Sequence, residues 1–297
     1  MPSDIGLIGI GKMGSAMVER LNSKNFSLVI YDSISEAAVK FQGSQFIAES
    51  PMDVAQRSTT IILSLPDSDA VEEVVFGKNG LVEGFQENTL VVDMGSSNAL
   101  RTINLANRLK EKGIRFIDAP VSGGPRGARS GTLSIMVGGN EEDIKPVTPI
   151  LQALGGENVV HVGKVGFGHI LKSLNNMLFA ISIIATSEAM SIGVQMGLNP
   201  EIMLEVLERS SGRNRAIERT FPQLVLAGNF EEGMFLRLLH KDILYALDVA
   251  KNTKTPVFLG TLAQEIYRLA EMKGLSEEAD YAVVKIFEEI SGVKIRR

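Results

Sequence analysis

The alternation of short apolar runs with helical stretches over residues 1–163 is the feature that most constrains how this chain folds. Several of the runs are nearly continuous in Val, Ile and Leu, which is typical of strands covered by helices on both faces. They occur at residues 4–10, 26–32, 59–65, 89–94, 115–119, 133–137 and 159–162. The alternation predicts an α/β fold built on a doubly wound, mostly parallel sheet.

After Gly168 the sequence keeps helical spacing alone and shows no further strand pattern. Residues 169–196 predict one long helix that ends at Gly197, with Pro200 just beyond. This helix is apolar around most of its circumference, so we expect other helices to bury it. The chain of 297 residues is therefore predicted to form two domains, residues 1–163 and an all-helical domain of residues 164–297, joined by the long helix.

The composition excludes several classes of function. A net charge of −5 argues against a nucleic-acid-binding surface, which usually needs a basic face. The absence of cysteine excludes disulfides, thiolate nucleophiles and cysteine metal sites. The 3 histidines are far apart in the sequence, so no metal site is predicted.

The sequence also bears on location. The first residues enter a strand-like run without a basic segment or a small-residue cleavage site, so no signal peptide is predicted. The longest mostly apolar run, residues 177–187, is too short to span a bilayer. We therefore expect a soluble protein of the cytoplasm with no membrane partner.

A G-x-G-x-x-G motif follows the first predicted strand and opens a helix. This glycine loop consists of Gly9, Ile10, Gly11, Lys12, Met13 and Gly14. Its glycines permit a tight turn, close approach of the backbone to a pyrophosphate and close helix–strand packing, and the helix N-terminus offers free N–H groups to phosphates. Glycine-rich turns are common, but this position at the start of a β/α series predicts a Rossmann-type dinucleotide-binding domain.

Asp32 ends the second predicted strand, about 20 residues after the glycine loop. A carboxylate at this position accepts hydrogen bonds from the adenosine ribose and repels a 2′-phosphate. The residues that follow it, Ser33, Ile34 and Ser35, include no arginine that would favour such a phosphate. The pattern favours NAD as the cofactor, and NADP is not excluded.

A second glycine cluster follows the predicted strand that ends near Ala119. We refer to it as the 122–124 loop, and it consists of Ser122, Gly123 and Gly124. Ligands of open α/β sheets bind at such strand ends, and uncovered N–H groups with one hydroxyl suit a carboxylate. A tight turn between strands is the alternative interpretation of the glycines alone.

Lys172, Asn175 and Asn176 interrupt the apolar long helix at positions i, i+3 and i+4, which share one helical face. Polar groups on a buried face cost free energy unless they are paired or used. A lysine whose neutral form is favoured by burial can take a proton from a hydroxyl. The alternative is a snorkelling lysine with two helix–helix hydrogen bonds.

Three motifs together resemble the β-hydroxyacid dehydrogenase family, and they occur in the family's order and spacing over nearly the whole chain. They are the glycine loop, the stretch Asp118-Ala119-Pro120-Val121-Ser122-Gly123-Gly124 and the stretch Lys172-Ser173-Leu174-Asn175-Asn176. The branch that looks most similar contains 3-hydroxyisobutyrate dehydrogenase and tartronate semialdehyde reductase.

The resemblance implies roles for individual residues. Lys172 would be the catalytic acid/base, the 122–124 loop would hold the substrate carboxylate, and Asn176 would orient the substrate. The residues implied on the cofactor side are Leu65, Pro66, Ser96 and Lys241. Ser96 departs from the family, which usually has a threonine there. The family's helical domain commonly builds oligomers, which implies a homodimer or homotetramer.

The resemblance implies an NAD(P)-dependent enzyme that interconverts a small β-hydroxy acid and its semialdehyde or oxo acid. The alternatives are an imine reductase, a 6-phosphogluconate dehydrogenase and a non-catalytic dinucleotide-binding module. Lys172 counts against the first, and the short C-terminal region counts against the second. Lys172 together with Asn176 and the 122–124 loop counts against the third. Arg213 and Arg215 either meet a second acidic group of a substrate or are solvated charges at a helix end.

Overall fold

The structure is a computed structural model that describes residues 4–296. Residues 1–3 and 297, which the predicted domains include, lie outside the described residues. Two compact units divide the chain, Met1–Lys172 and Ser173–Arg297, and the division falls inside the long helix. The predicted domain boundary after residue 163 lies ahead of that helix and stays a prediction.

The first unit contains a 9-stranded sheet. Its strands are β1 (Asp4–Ile8), β2 (Leu28–Tyr31), β3 (Phe46–Ile47), β4 (Ser58–Leu63), β5 (Leu90–Asp93), β6 (Arg115–Asp118), β7 (Val121–Ser122), β8 (Ser134–Gly138) and β9 (Val159–Gly163). The strand order is β3-β2-β1-β4-β5-β6-β8-β7, and β9 pairs with β8. The first six strands of this order are all parallel, as in the doubly wound dinucleotide-binding fold, so the predicted fold class is confirmed.

Each strand predicted from the sequence overlaps an observed strand, but β3 and β7 were missed. Both are only 2 residues long, and a strand this short has no period to detect. The far edge of the sheet also departs from the parallel pattern, because β8 runs antiparallel to both β6 and β7.

Helices cover both faces of this sheet. Successive residues of the central strand β4 show it: Ile61 and Leu63 belong to one buried cluster and Ile62 to another, since neighbouring side chains point to opposite faces. The helices are α1 (Lys12–Ser23), α2 (Ser35–Val39), α3 (Pro51–Arg57), α4 (Ser68–Phe76), α5 (Ala99–Lys110), α6 (Gly124–Ser130), α7 (Glu141–Ile144) and α8 (Thr148–Gly155). Short 3₁₀ turns occur at Leu81–Glu83 and Lys145–Val147.

The predicted long helix is α9 (Phe167–Gln195), which crosses from the first unit into the second. It is followed by Gly197, whose φ of +90° suits glycine at a helix end. The second unit continues with α10 (Pro200–Glu208), a π-helix (Ala216–Val225), α11 (Leu236–Thr253), α12 (Phe258–Met272) and α13 (Val284–Ser291). Within residues 173–296 the only β pairing is an isolated bridge between Phe235 and Ala279.

α9 is less completely buried by other helices than the sequence predicts. Two of its apolar side chains are largely exposed, Leu178 at 64% and Ile192 at 66%. By length and composition alone α9 is long and apolar enough to cross a membrane, and the core helix of a soluble protein can have the same length and composition. The apolar run of residues 177–187 is only part of this helix. A cytoplasmic location stays a prediction.

Candidate active site

The glycine loop is tightly packed on one side and open on the other. Gly9 has a φ of +95°, and a Cβ added to Gly14 would lie 1.8 Å from the carbonyl oxygen of Gly9. A Cβ added to Gly11, in contrast, would meet nothing within 4 Å. Gly11 also precedes the first residue of α1 and gives that helix end no side-chain cap. The loop therefore fits a pyrophosphate, because its backbone N–H groups at the helix N-terminus are approachable.

Asp32 contacts the glycine loop directly. Its Oδ2 accepts the backbone N–H of Ile10 at 2.6 Å, and its Oδ1 accepts the backbone N–H of Ile34 at 2.8 Å. A carboxylate oxygen has two acceptor positions, so both oxygens of Asp32 can still accept from a hydroxyl. The structure thus brings together the glycine loop and the predicted ribose partner.

The turn after β5 carries Ser96, which is half-buried. Asp93, at the end of that strand, shapes the turn by accepting the backbone N–H of Gly95 at 2.9 Å and the hydroxyl of Ser97 at 2.7 Å. Two other predicted cofactor residues, Leu65 and Pro66, follow the neighbouring strand β4. Because β4 and β5 are parallel, these positions meet at one edge of the sheet.

The 122–124 loop begins on the short strand β7, which lies between it and the predicted strand β6. Ser122 is half-buried and pairs with Ser134 of β8. Gly123 and Gly124 have φ values of +130° and +65°, which favour glycine, and a Cβ on Gly124 would meet nothing within 4 Å. The backbone of the loop is therefore accessible to a small anion.

Lys172 is buried, with 9% of its surface exposed, and it is the last residue of the first unit. Asn176 follows one helical turn later on α9 and is 4% exposed. Asn175, which shares their predicted face, is exposed to solvent. Burial of Lys172 and Asn176 agrees with the predicted polar stripe on an apolar helix, whereas Asn175 lies at its margin.

Asn176 is fixed by a partner within the second unit that the sequence analysis missed. Its amide donates to Oδ2 of Asp242 at 2.6 Å, and its carbonyl oxygen accepts from the amide of Asn175 at 3.0 Å. Lys241 lies next to Asp242 on α11, with its Nζ 3.4 Å from Asp242 Oδ1. Asp242 is 1% exposed, so this carboxylate holds both predicted residues of the second unit. The sequence signal that could have identified Asp242 is its position next to Lys241.

A second group of buried ionisable side chains was also missed. Asp93, Asp118 and His169 are each at most 1% exposed, and the His169 ring nitrogens lie 3.7 Å from Asp93 Oδ2 and 3.8 Å from Asp118 Oδ2. Burial raises the pKa of the Asp118 carboxyl, while the His169 ring and two backbone hydrogen bonds act in the opposite direction. The available signals were the positions of the two aspartates at strand ends and of His169 one turn before Lys172.

The two arginines considered as partners of a second acidic group are exposed residues of the second unit. Arg213 is exposed and pairs with Glu218, and Arg215 is also exposed. Throughout residues 4–296, no group of three or more His, Asp or Glu side chains is arranged to hold a metal ion.

Comparison with known protein families assigns both parts of the chain. The family described as the NAD-binding domain of 6-phosphogluconate dehydrogenase matches residues 4–163. The family described as NAD-binding of NADP-dependent 3-hydroxyisobutyrate dehydrogenase matches residues 166–287.

Individual relatives extend over almost the whole chain. The 2-(hydroxymethyl)glutarate dehydrogenase of Eubacterium barkeri is 36% identical over 98% of this chain and 97% of its own length. The mitochondrial 3-hydroxyisobutyrate dehydrogenase of Homo sapiens is 37% identical over 96% of this chain and 87% of its own length. A solved structure of 3-hydroxyisobutyrate dehydrogenase from Mycobacterium tuberculosis with L-serine has a TM-score of 0.87 and 25% identity, covering 96% of this chain and 99% of that one.

The family matches, the full-length relatives and the shared fold agree with the resemblance drawn from the three sequence motifs. They also agree with a nicotinamide dinucleotide as cofactor and with oxidoreduction of a hydroxy acid. This chain belongs to the β-hydroxyacid dehydrogenase family of NAD(P)-dependent oxidoreductases.

Proposed function

We propose that this chain interconverts a short-chain 3-hydroxy acid, such as 3-hydroxyisobutyrate, and its semialdehyde, with NAD as preferred cofactor and Lys172 as acid/base. The observation that carries the proposal is Lys172 itself, a cation only 9% exposed near the N-terminal end of α9. Burying such a charge costs free energy unless the group is paired or used. Acid/base catalysis, which the family resemblance implies for Lys172, is such a use.

Oxidation of the hydroxy acid removes a hydride from carbon and a proton from oxygen. When bound, the nicotinamide ring supplies the hydride chemistry. Nζ of Lys172 accepts the hydroxyl proton in the oxidative direction, which is the role of a general base. In the reductive direction its ammonium form returns the proton and stabilises the developing alkoxide.

The cofactor is held by the glycine loop and Asp32. The approachable backbone at Gly11 takes the pyrophosphate, and Asp32 takes the adenosine ribose through the acceptor positions that Ile10 and Ile34 leave open. We assign Leu65, Pro66 and Ser96 to the nicotinamide and Lys241 to the cofactor, as the family resemblance implies.

The substrate carboxylate binds the 122–124 loop, and Asn176 orients the molecule. The relatives support this class of substrate: 2-(hydroxymethyl)glutarate, 3-hydroxyisobutyrate and L-serine each carry a hydroxymethyl group on the carbon next to a carboxylate. Such a molecule places its carboxylate and its reacting carbon only a few bonds apart. One anion site and one proton acceptor close to it are then sufficient.

Replacing Lys172 with alanine should lower kcat at least ~100-fold, the usual scale of a lost general acid/base. NADH binding, measured by fluorescence titration, should survive because the glycine loop and Asp32 are untouched. Lys285→Ala is the matched control, since Lys285 pairs with Glu278 and has no role in the proposed site. A near-normal kcat of Lys172→Ala would show that Lys172 is not the acid/base.

Replacing Asp32 with serine and Ser33 with arginine should move kcat/KM from NAD toward NADP, because the carboxylate that repels a 2′-phosphate is lost. Total activity should also fall, since Asp32 supports the backbone of Ile10. Ser33→Arg alone keeps the carboxylate and should still disfavour NADP. A preference for NADP in the unmodified protein would contradict this role of Asp32.

The 122–124 loop makes the carboxylate of the substrate essential. We expect NAD-dependent oxidation of at least one of 3-hydroxyisobutyrate, 3-hydroxypropionate, glycerate and serine, measured as NADH formation. The methyl ester of the same acid should be inactive, because it lacks the anion that the loop binds. Equal rates on acid and ester, or activity on simple alcohols only, would show that the loop does not anchor a carboxylate.

We propose further that the chain forms a homodimer or homotetramer through its helical unit. Support comes from α12, where an apolar stripe at helical spacing faces solvent: Phe258 is 84% exposed, Leu262 57% and Met272 72%. Large apolar side chains that project into solvent from one helix face are typical of a protein–protein contact surface. A second copy of the chain would cover it.

Analytical ultracentrifugation at low micromolar concentration should therefore show a dimer or tetramer. The double variant Phe258→Lys with Leu262→Lys should dissociate it, because charges would have to be buried in the contact. Val160→Lys is the control, an exposed apolar residue on β9 of the first unit, and should leave the assembly intact. A monomeric unmodified chain would overturn the proposal.

A further inference from the structure

Asp118 connects two segments that are distant in sequence. Its Oδ1 accepts the backbone N–H of Gly166 at 2.6 Å, and its Oδ2 accepts the backbone N–H of His169 at 2.8 Å. Both donors lie at the beginning of α9, where the first N–H groups of a helix have no partner within the helix. A carboxylate at the end of β6 thus caps the helix that carries Lys172.

Two neighbouring glycines pack closely against the carboxylate of Asp118. A Cβ added to Gly138 would lie 2.5 Å from Asp118 Oδ1, and one added to Gly168 would lie 2.8 Å from Oδ2. Asp118 is 0% exposed. Burying an ionisable group this completely is costly unless its oxygens are hydrogen-bonded, which the two backbone donors achieve.

His169 extends the connection to the neighbouring strand. Its Nδ1 lies 2.9 Å from the hydroxyl of Thr102 on α5, and its Nε2 is buried, 3.7 Å from Asp93 Oδ2. Asp93 in turn shapes the turn that presents Ser96. The first turn of α9 is therefore held against the ends of β5 and β6 together.

We propose that Asp118, together with His169, is a positioning residue for the reaction: it fixes Lys172 relative to the 122–124 loop. Asp118 lies four residues before Ser122 in the sequence. Its carboxylate also accepts the backbone N–H of His169, which lies about one helical turn before Lys172 on α9. The inference rests on the proposed function of Lys172 and that loop. Because Asp118 is 0% exposed, its carboxylate acts through the backbone groups that it bonds, and it sets the distance between the proton acceptor and the carboxylate anchor.

The first test is Asp118→Asn, which keeps one acceptor oxygen and places an amide NH₂ against the second backbone donor. We expect kcat to fall at least ~10-fold, because small misplacements of a reacting group are costly. KM for NAD and the Kd of NADH should stay within about twofold. Glu288→Gln is the matched control, a carboxylate 3% exposed whose Oε1 also accepts two backbone N–H groups, from Ile295 and Arg296, and it should leave kcat unchanged.

Hydrogen–deuterium exchange gives a readout that needs no turnover. Amides of residues 166–172 should exchange about tenfold faster in Asp118→Asn than in the unmodified protein, the scale of one lost charge-assisted hydrogen bond. If the unmodified chain oxidises no hydroxy acid, the proposed function fails, while the exchange at residues 166–172 still decides whether Asp118 holds the helix. Unchanged exchange there overturns the positioning role.

A pair of variants at His169 covers the case in which Asp118→Asn does not fold. His169→Gln keeps a polar group that can reach Thr102 and should retain most of kcat, whereas His169→Leu should lower kcat at least ~10-fold with KM for NAD unchanged. Equal kcat in the two variants would overturn the inference. So would a parallel loss of kcat and NADH binding, which a general structural defect produces.

Discussion

Buried or half-buried carboxylates at the carboxyl ends of parallel strands hold the segments on which the proposed chemistry depends. Asp32 follows β2 and accepts from the glycine loop, Asp93 ends β5 and accepts from the turn that carries Ser96, and Asp118 ends β6 and accepts from the first turn of α9. In each case the donor is a backbone N–H that no strand or helix satisfies. The physical constraint is that such donors need a partner when they are buried, and a carboxylate oxygen is a strong one.

This arrangement explains how a fold shared by many enzymes can present one particular site. The parallel sheet brings the strand ends to one edge, and the aspartates then fix how each loop leaves that edge. Lys172 lies on a helix rather than a loop, and the start of that helix is bonded to the sheet through Asp118. A reacting group on a rigid element, supported by a second layer of hydrogen bonds, keeps its geometry through the reaction.

Much of the fold could be predicted from the sequence because strands covered on both faces are nearly continuous in Val, Ile and Leu. The positions of β1, β2, β4, β5 and β6 along the chain follow from this pattern, whereas their order in the sheet comes from the structure. The strands β3 and β7 are too short to show a period. The exposed apolar residues on α9 and α12 are of the same types as buried ones, so the sequence does not distinguish them. Periodicity marks an apolar face, but it does not say whether this chain or another covers it.

For the site, sequence motifs identified the residues proposed to touch ligands but not those that support them. Lys172 and the 122–124 loop are unusual in their local context, one as a cation on an apolar helix and the other as paired glycines at a strand end. Asp118 and Asp242 are single aspartates whose partners, His169 and Asn176, lie 51 and 66 residues away in the sequence. The positions of these aspartates, at a strand end and beside Lys241, were visible in the sequence, but their long-range partners were not, and the folded structure reveals those.

The central claim is that Lys172 and the 122–124 loop act on one small hydroxy acid. The most direct test is a crystal structure of the dead-end complex with NADH and a 3-hydroxy acid that the protein oxidises. The account predicts the carboxylate on the backbone of the 122–124 loop and the hydroxyl about 2.6–3.2 Å from Nζ of Lys172. A carboxylate bound elsewhere, or a Lys172 side chain turned away from the hydroxyl, would contradict it.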